Sequence, residues 1–333
     1  MRLSAMGDVA MTVPVVAQLA QRDDLCVTVL TRKAFLPLFS NLENVEVFAF
    51  LDEHKNFWGL LRLFRELQKY KKWHVIIDLH NVLRTKFLRF LFRFSIAKIA
   101  ILQKNHCEKR NLTRKNRKKM TQLPSVQDEY TAACARAGFP VEVKPCKLYD
   151  NISLPAEILQ ITGKKNEKWL GIAPFARHQA KTYPFKKMQE IIRHFSEKGD
   201  VKVFLFGGKA DAKILEIITY NNVYSLAGRT SFADELQVMA HLDCMLSMDS
   251  GNMHLTNLVA VPVVSIWGAT HPFAGFVSAG SAKNTIIQRD LACRPCSVFG
   301  NKPCWKGSYE CMDIPSGKII EAIEKIIFLN DDL

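Results

Sequence analysis

Long apolar runs are missing from these 333 residues. No stretch of about 18 uncharged apolar residues occurs, so no membrane-spanning helix is expected. The start offers no signal peptide: Arg2 is followed closely by Gly7-Asp8 and not by an apolar core. Of nine cysteines, five are scattered (Cys26, Cys107, Cys134, Cys146, Cys244), and without a secretory signal a reduced, cytoplasmic setting is expected. No G-x-G-x-x-G follows a strand-like run, which weakens a dinucleotide oxidoreductase. The most basic segment, 104–119, contains no aromatic residue on which a base would stack, so nucleic acid is not an expected partner.

What is present is a large apolar fraction, 48%, in a length that favours two domains, divided here as 1–150 and 151–333. Charge is split unevenly between them. Residues 1–150 carry 26 Lys and Arg against 14 Asp and Glu, whereas residues 151–333 carry 20 against 18. The formal +14 therefore belongs almost wholly to the first half, which implies an anionic partner there.

Strand-like runs alternate with helical ones. In the second half the strands are expected at 169–173, 201–206, 223–226, 244–248, 263–267 and 285–288, a pattern that argues a parallel sheet with helices on both faces. In the first half, 25–30 and 45–48 read as strands and 57–70 as a helix. Gly7-Asp8 opens a helix expected to run to about Gln21, and 75–78 is a buried strand ending at Asp78-Leu79-His80. Segment 84–94 is amphipathic, with Lys86, Arg89 and Arg93 on one arc and Phe87, Leu91 and Phe94 opposite; it reads as a core helix with a solvated face or as a membrane-surface helix. Segment 104–119, with eight Lys and Arg and one Glu, has no apolar period and is expected to be a mobile loop gripping phosphates. A helix at 125–137 closes the first domain, 140–168 is the linker, and a final helix at 314–329 is expected to return across the first domain.

The stretch 242–270 concentrates the chemistry. A strand at 244–248 ends at Asp249-Ser250-Gly251, a short helix follows over 252–260, and a second strand lies at 263–267. Free backbone N–H groups and the positive end of a helix dipole make Ser250 and Gly251 a natural phosphate site, framed by Asp249 and His254. On the residues alone, Ser250 equally serves as a helix cap, His254 as a satisfied surface histidine and Asp8 as an N-cap.

The order Asp249-Ser250-Gly251-x-x-His254-Leu255, then Pro262 and Gly268-x-Thr270-x-Pro272, resembles the donor-site signature of glycosyltransferase family nine, the ADP-heptose:lipopolysaccharide heptosyltransferases. The resemblance implies an α/β protein of GT-B architecture, two facing Rossmann-like domains with parallel sheets. It implies heptose transfer from ADP-heptose to the inner core of a lipopolysaccharide precursor, at the inner face of the cytoplasmic membrane. The family's Ser-x-x-Gly-Asp motif maps onto Ser4, Gly7 and Asp8, making Asp8 the expected catalytic base. Lys181, and with it Arg177, would hold the donor pyrophosphate. In the basic N-terminal half Arg84, Lys86, Lys115 and Arg117 would meet the acceptor. Two departures stand out: Lys209 occupies a place where an acidic residue often contacts the nucleoside, and only Arg2-Leu3 remain of a first strand, so a gap is expected beside Asp8. No Asp-x-Asp pair is present, so no catalytic cofactor is expected and Lys181 and the helix dipole would neutralise the leaving group. A GT-B sugar-nucleotide epimerase and a non-catalytic binder of anionic glycolipid or nucleic acid are the competing readings.

Cys293-x2-Cys296-x7-Cys304-x6-Cys311 remains outside this scheme. Four thiolates at such spacing make a tetrahedral zinc site, or else stay as reduced or paired cysteines packed in a loop.

Overall fold

A computed structural model describes residues 1–149, 153–278 and 284–328. Its contacts divide the chain into two units, one made of Met1–Asn105 with Pro124–Leu148, the other of His106–Leu123 with Tyr149–Val277 and the residues from 284 onward. The basic segment expected within an N-terminal 1–150 domain thus packs with the second unit. The expected boundary between 150 and 151 lies outside the described residues.

In the first unit, valine-rich β1 (Val27–Arg32) pairs in parallel with β2 (Val45–Phe50), and β3 (Val75–Asp78) with β4 (Lys98–Ile101). The helix expected to run from Gly7 to Gln21 is broken into α1 (Met6–Ala10) and α2 (Val13–Ala20), because Pro14 has no N–H to continue the first helix. The amphipathic α3 (Phe57–Tyr70) and α4 (Leu83–Phe92) cover one side of the core, burying Leu60, Leu63, Leu67, Leu88 and Phe92. The inward face of α4 is Thr85, Leu88 and Phe92, with Phe87, as expected, packed partly buried against the same core, whereas Phe94, expected beside it, is exposed. Helix α5 (His106–Leu112) belongs to the second unit, and α6 (Val126–Ala137) returns to the first with a Ser125–Asp128 capping box at its start.

The chain's first residues join the two strand pairs. The Met1 ammonium donates to Ile77 O at 2.7 Å, Arg2 N to Leu30 O at 3.1 Å, and Leu79 N to Met1 O at 3.1 Å. Met1 and Arg2 therefore lie between β1 and β3, and burial holds the Met1 amine below its ordinary pKa. Beside them is a cavity of about 620 Å³, lined by Val27, Val29, Val75 and Ile77 of the two strands and by Val16 and Leu19 of α2.

The main stretch of the second unit, from Tyr149 on, has α7 (Ala156–Thr162) as its first element, inside the stretch expected to be an irregular linker; Gly163, at φ 70°, ends it. Its sheet has six parallel strands: β5 (Lys168–Ala173), β6 (Val201–Leu205), β7 (Val223–Ser225), β8 (Cys244–Met248), β9 (Val263–Trp267) and β10 (Thr285–Gln288). They lie in the order β7-β6-β5-β8-β9-β10, so the chain leaves the middle in opposite directions from β5 and β8. Between helices α8 (Phe185–Ser196), α9 (Ala212–Leu215), α10 (Phe232–Ala240), α11 (Gly251–Leu258) and α12 (Ser316–Phe328), both faces of the central strands are buried, which is why β8 and β9 are apolar but for one serine each. Ile319, Ile323 and Ile327 of α12 enter this core beside Ile191 and Phe195 of α8. Each buried isoleucine contributes roughly 1.5–3 kcal/mol. The apolar stripe of α12 is thus used within the second unit; Leu329 lies outside the described residues.

Segment 106–123 is not a free loop. Leu112 and Leu123 pack against Ala274, and Leu123 N donates to Phe273 O at 2.9 Å. Two isolated apolar anchors among many charges carry no periodicity, so the pattern gave no sign of them.

Candidate functional site

The point where the sheet's strand order reverses, between β5 and β8, is where a doubly wound α/β unit receives its ligand. Both strands end there in residues of the expected donor site. After β5, the chain loops through Arg177 and His178 into a single 3-10 turn, Gln179–Lys181. After β8 come Asp249 and Ser250. The Lys181 Nζ stands 2.9 Å from Asp249 Oδ2, with the two side chains only 15% and 5% exposed. Arg177 is exposed, and its cation lies close enough to matter to His178: burial first, then Arg177 and Lys181, hold that imidazole below its usual pKa.

Ser250 is the N-cap of α11, yet its side chain makes no capping bond; its Oγ instead faces Ser247 Oγ at 3.2 Å. The first N–H groups of α11, beginning at Gly251, are therefore left to an incoming acceptor. His254 is buried in the helix's first turn. The structure thus brings Lys181, Asp249, Ser250, Gly251 and His254 to one end of the sheet. Lys209, by contrast, is exposed at the β6 edge, where Gly208 N is held by Asp211 Oδ2 at 2.8 Å.

The first unit gathers a second cluster at the carboxyl end of β3. Asp8 accepts from Ala5 N at 3.1 Å and pairs with Arg2, whose Nη2 is 2.6 Å from Asp8 Oδ2. The same guanidinium donates through Nη1 to Leu79 O at 2.6 Å and lies 5.8 Å from the Tyr130 ring centroid. Tyr130 Oη in turn donates to the Asp8 carbonyl at 3.2 Å. Fully buried Asp78 accepts from the His80 and Asn81 amides, both at 2.9 Å, and faces Arg89 Nε at 3.1 Å. Lys104 donates to Asn81 O at 3.1 Å. His80, near Ser4 Oγ at 3.4 Å, is pushed down to about 4 by burial and by the Arg2 and Lys104 cations, against the pull of Asp78 and Asp8.

Arg2 was not legible as a partner of Asp8. It stands six residues away, and only the passage of Met1 and Arg2 between β1 and β3 brings it round. Arg89 appeared in the sequence only as one of a solvated arc.

The four acceptor candidates divide between the two units. Arg84 and Lys86 sit at the start of α4 in the first unit, and Lys115 and Arg117 belong to the second. Lys115 lies with its Nζ 4.2 Å from the Trp305 ring centroid, a cation–π contact. Arg117 is exposed and takes φ 52°. Neighbouring Lys118 is committed elsewhere: its ammonium donates to Cys293 O at 2.7 Å, Pro295 O at 2.9 Å and Ala292 O at 3.3 Å.

Those carbonyls belong to the cysteine-bearing segment. Cys293, Cys296, Cys304 and Cys311 line one small pocket and form no disulfide. Burial raises the Cys304 thiol, but the backbone N–H groups of Tyr309, Lys306, Gly307 and Ser308 at its sulfur outweigh it and favour the thiolate. The ligand types suit a metal. The sulfurs stand wider than a bound ion would draw them, since among the described residues the only group with ligand atoms all within 4.8 Å is Glu53, His54 and Glu66. That group is an ion network: His54 Nδ1 accepts from Leu51 N, and Arg62 reaches both carboxylates.

Among the described residues no helix is long and apolar enough to cross a membrane.

Two α/β units with parallel sheets, the second doubly wound with a phosphate-type helix start at its switch point, define the GT-B class of fold. The family described as Glycosyltransferase family 9 (heptosyltransferase) matches residues 60–304, and the chain belongs to that family. The lipooligosaccharide heptosyltransferase 2 of Campylobacter jejuni is 29% identical over 174 residues, a match covering 49% of this chain and 52% of that protein. The chain thus spans about half the length of the curated relatives it matches first. The glycosyl transferase family 9 structure from Veillonella parvula superposes with a TM-score of 0.74 at 18% identity, covering 98% of this chain and 96% of that one. The E. coli ADP-heptose lps heptosyltransferase II does so with a TM-score of 0.68 at 17% identity, covering 99% and 100%.

Proposed function

We propose that this protein transfers heptose from ADP-heptose to the inner core of a lipopolysaccharide precursor, with Asp8 as general base. The observation that carries the reading is the Lys181–Asp249 pair beside the start of α11, where Ser250 leaves the helix's first N–H groups without a side-chain cap. Family membership supports it, as do the heptosyltransferase names of the relatives.

In this reading the Asp8 carboxylate accepts the proton of an acceptor hydroxyl. That oxygen forms its bond to the anomeric carbon while the bond from that carbon to the ADP phosphate oxygen breaks. Charge gathering on the departing diphosphate is neutralised by Lys181 and by the Ser250–Gly251 end of the helix, with Arg177 adding to the field. Asp249 keeps Lys181 extended until the phosphate competes for it. General-base help of this kind contributes ~10²–10⁴-fold. No cofactor takes part. Zinc at the four cysteines would be structural, held by Cys293, Cys296, Cys304 and Cys311.

Attachment to the inner face of the cytoplasmic membrane finds support in an apolar patch on the first unit. Trp58 of α3, Leu83 and Phe90 of α4, and Phe94 and Ile96 just after it are all more than half exposed, with Arg84 and Lys86 among them. Apolar side chains rimmed by cations suit an anionic lipid surface.

A thermal-shift series tests the donor assignment. ADP and ADP-heptose should raise Tm in proportion to occupancy, since a ligand of the folded state stabilises it. Equal shifts with UDP and GDP, or none with any nucleotide, would remove the assignment.

A further inference from the structure

The cysteine-bearing segment touches the donor lysine directly. Gly300, between Cys296 and Cys304, takes φ 72°, and a Cβ built there would overlap the Cγ and Cδ atoms of Lys181. Its backbone therefore lies flat against the aliphatic stem of Lys181, while the far end of that side chain meets Asp249.

This contact closes a ring of bonds. Ala269 N donates to Ala180 O at 3.0 Å, tying the loop before Lys181 to the end of β9. Ala269 O accepts from Cys296 N at 3.0 Å and Ser297 N at 3.3 Å. Buried Arg294 fastens the segment to the same place, donating to Gly268 O at 2.5 Å, Thr270 O at 2.9 Å and Trp267 O at 3.1 Å. Ser297 Oγ then donates to Asn301 Oδ1 at 3.1 Å, bracing the turn that carries Gly300. So the segment anchored beside Lys181 by its first half leans on the Lys181 side chain with its second.

We propose that Gly300 and its turn position Lys181: they press the stem into the one course that delivers the ammonium to the diphosphate site. The inference rests on Lys181 binding the donor diphosphate. Glycine is required twice, for the positive φ and because any side chain would occupy the volume of the stem. Lysine has a flexible four-carbon stem, so a wall along it removes alternative rotamers before the ligand arrives.

The experiment is a double-mutant cycle on ADP affinity by calorimetry, with Lys181→Ala, Gly300→Ala and both together, and Ser297→Ala as a milder loosening of the turn. Lys181→Ala should weaken ADP binding by about tenfold or more, the worth of a charge-assisted hydrogen bond. Gly300→Ala should give a large part of that loss and Ser297→Ala a smaller one. Neither should weaken binding further once Lys181 is alanine, because residues that act through one another are not additive. In parallel, acetylation of Lys181 by an amine-reactive ester, read by peptide mass, should be faster in Gly300→Ala than in the wild type. Full additivity of the losses, or wild-type affinity and acetylation rate in both turn variants, would overturn the inference. A wild type that binds no ADP would instead overturn the donor assignment, and the acetylation rates would still judge whether the turn holds Lys181.

Discussion

Arg2 and Asp8 form an ion pair at 2.6 Å, and the same guanidinium donates to Leu79 O, so a single side chain fastens the loop of Asp8 to the end of β3. Arg2 is nearly buried and Asp8 about a quarter exposed. Removing one partner of such a pair leaves the other uncompensated, at a cost of about 3 kcal/mol. Arg2→Met should therefore lower Tm by several degrees. Arg2→Lys should retain most of the stability but not both bonds, reducing kcat while ADP affinity holds. A thermal melt of Arg2→Met that overlays the wild type would contradict this.

How legible was this arrangement? The second unit was largely readable, because β8 and β9 are apolar but for one serine each and are closed by Asp249 and by Gly268. Buried parallel strands leave that signature and few other elements do. Lys181 was singled out by the family resemblance, since a loop lysine between strand and helix reads equally as a solvated charge. The first unit was harder. β4 is only four residues, Lys-Ile-Ala-Ile, and α4 buries a threonine while leaving Phe90 and Phe94 in the open, so hydrophobicity alone misjudges its inner face. The break before Pro14 was visible in principle. Arg2, Arg294 and Gly300 were not, since each acts through a contact that only the folded chain creates.

His80 should make stability depend on pH. Its folded pKa of about 4 lies below the unfolded value of 6.5. The unfolded chain therefore binds the proton first, so stability is fully present above about pH 6.5 and is lost as pH falls toward 4. Between pH 7 and 4.5, His80→Asn should lose less Tm than the wild type. Parallel losses in the two proteins would show that His80 is not desolvated.

The cavity between β1 and β3 is a test of packing. Extending the chain before Met1 by four or five Val and Ile residues should add a strand between the two pairs, filling about 620 Å³ of apolar space. Tm should rise by several degrees, and the Met1 amide should become protected from hydrogen exchange. An unchanged Tm with an exchanging amide would mean that the cavity does not accept a strand.

At the cysteine segment, Lys118→Ala should destabilise by on the order of 2 kcal/mol, because three carbonyls lose a charged donor. Lys119→Ala, exposed nearby, should not. Zinc binding would require the four sulfurs to draw in, and would show as about one equivalent in freshly reduced protein. Metal analysis finding no bound ion would leave the four thiols as packing groups.

The most direct measurement is transfer itself. Wild type and Asp8→Asn are incubated with ADP-heptose, with and without a lipopolysaccharide precursor lacking its inner-core heptose, and the products are read by mass. Asparagine keeps the shape and an oxygen for Ala5 N, but it cannot take the proton and carries no charge for Arg2. The wild type should add one heptosyl unit to the acceptor and release ADP only when acceptor is present. Asp8→Asn should do so ~10²-fold more slowly or worse, with ADP affinity close to normal. Near-normal transfer by Asp8→Asn would leave Asp8 a structural residue, the third of α1, holding Ala5 N and Arg2. Epimerised sugar from the donor-only reaction, with no mass added to the acceptor, would contradict the transferase reading outright.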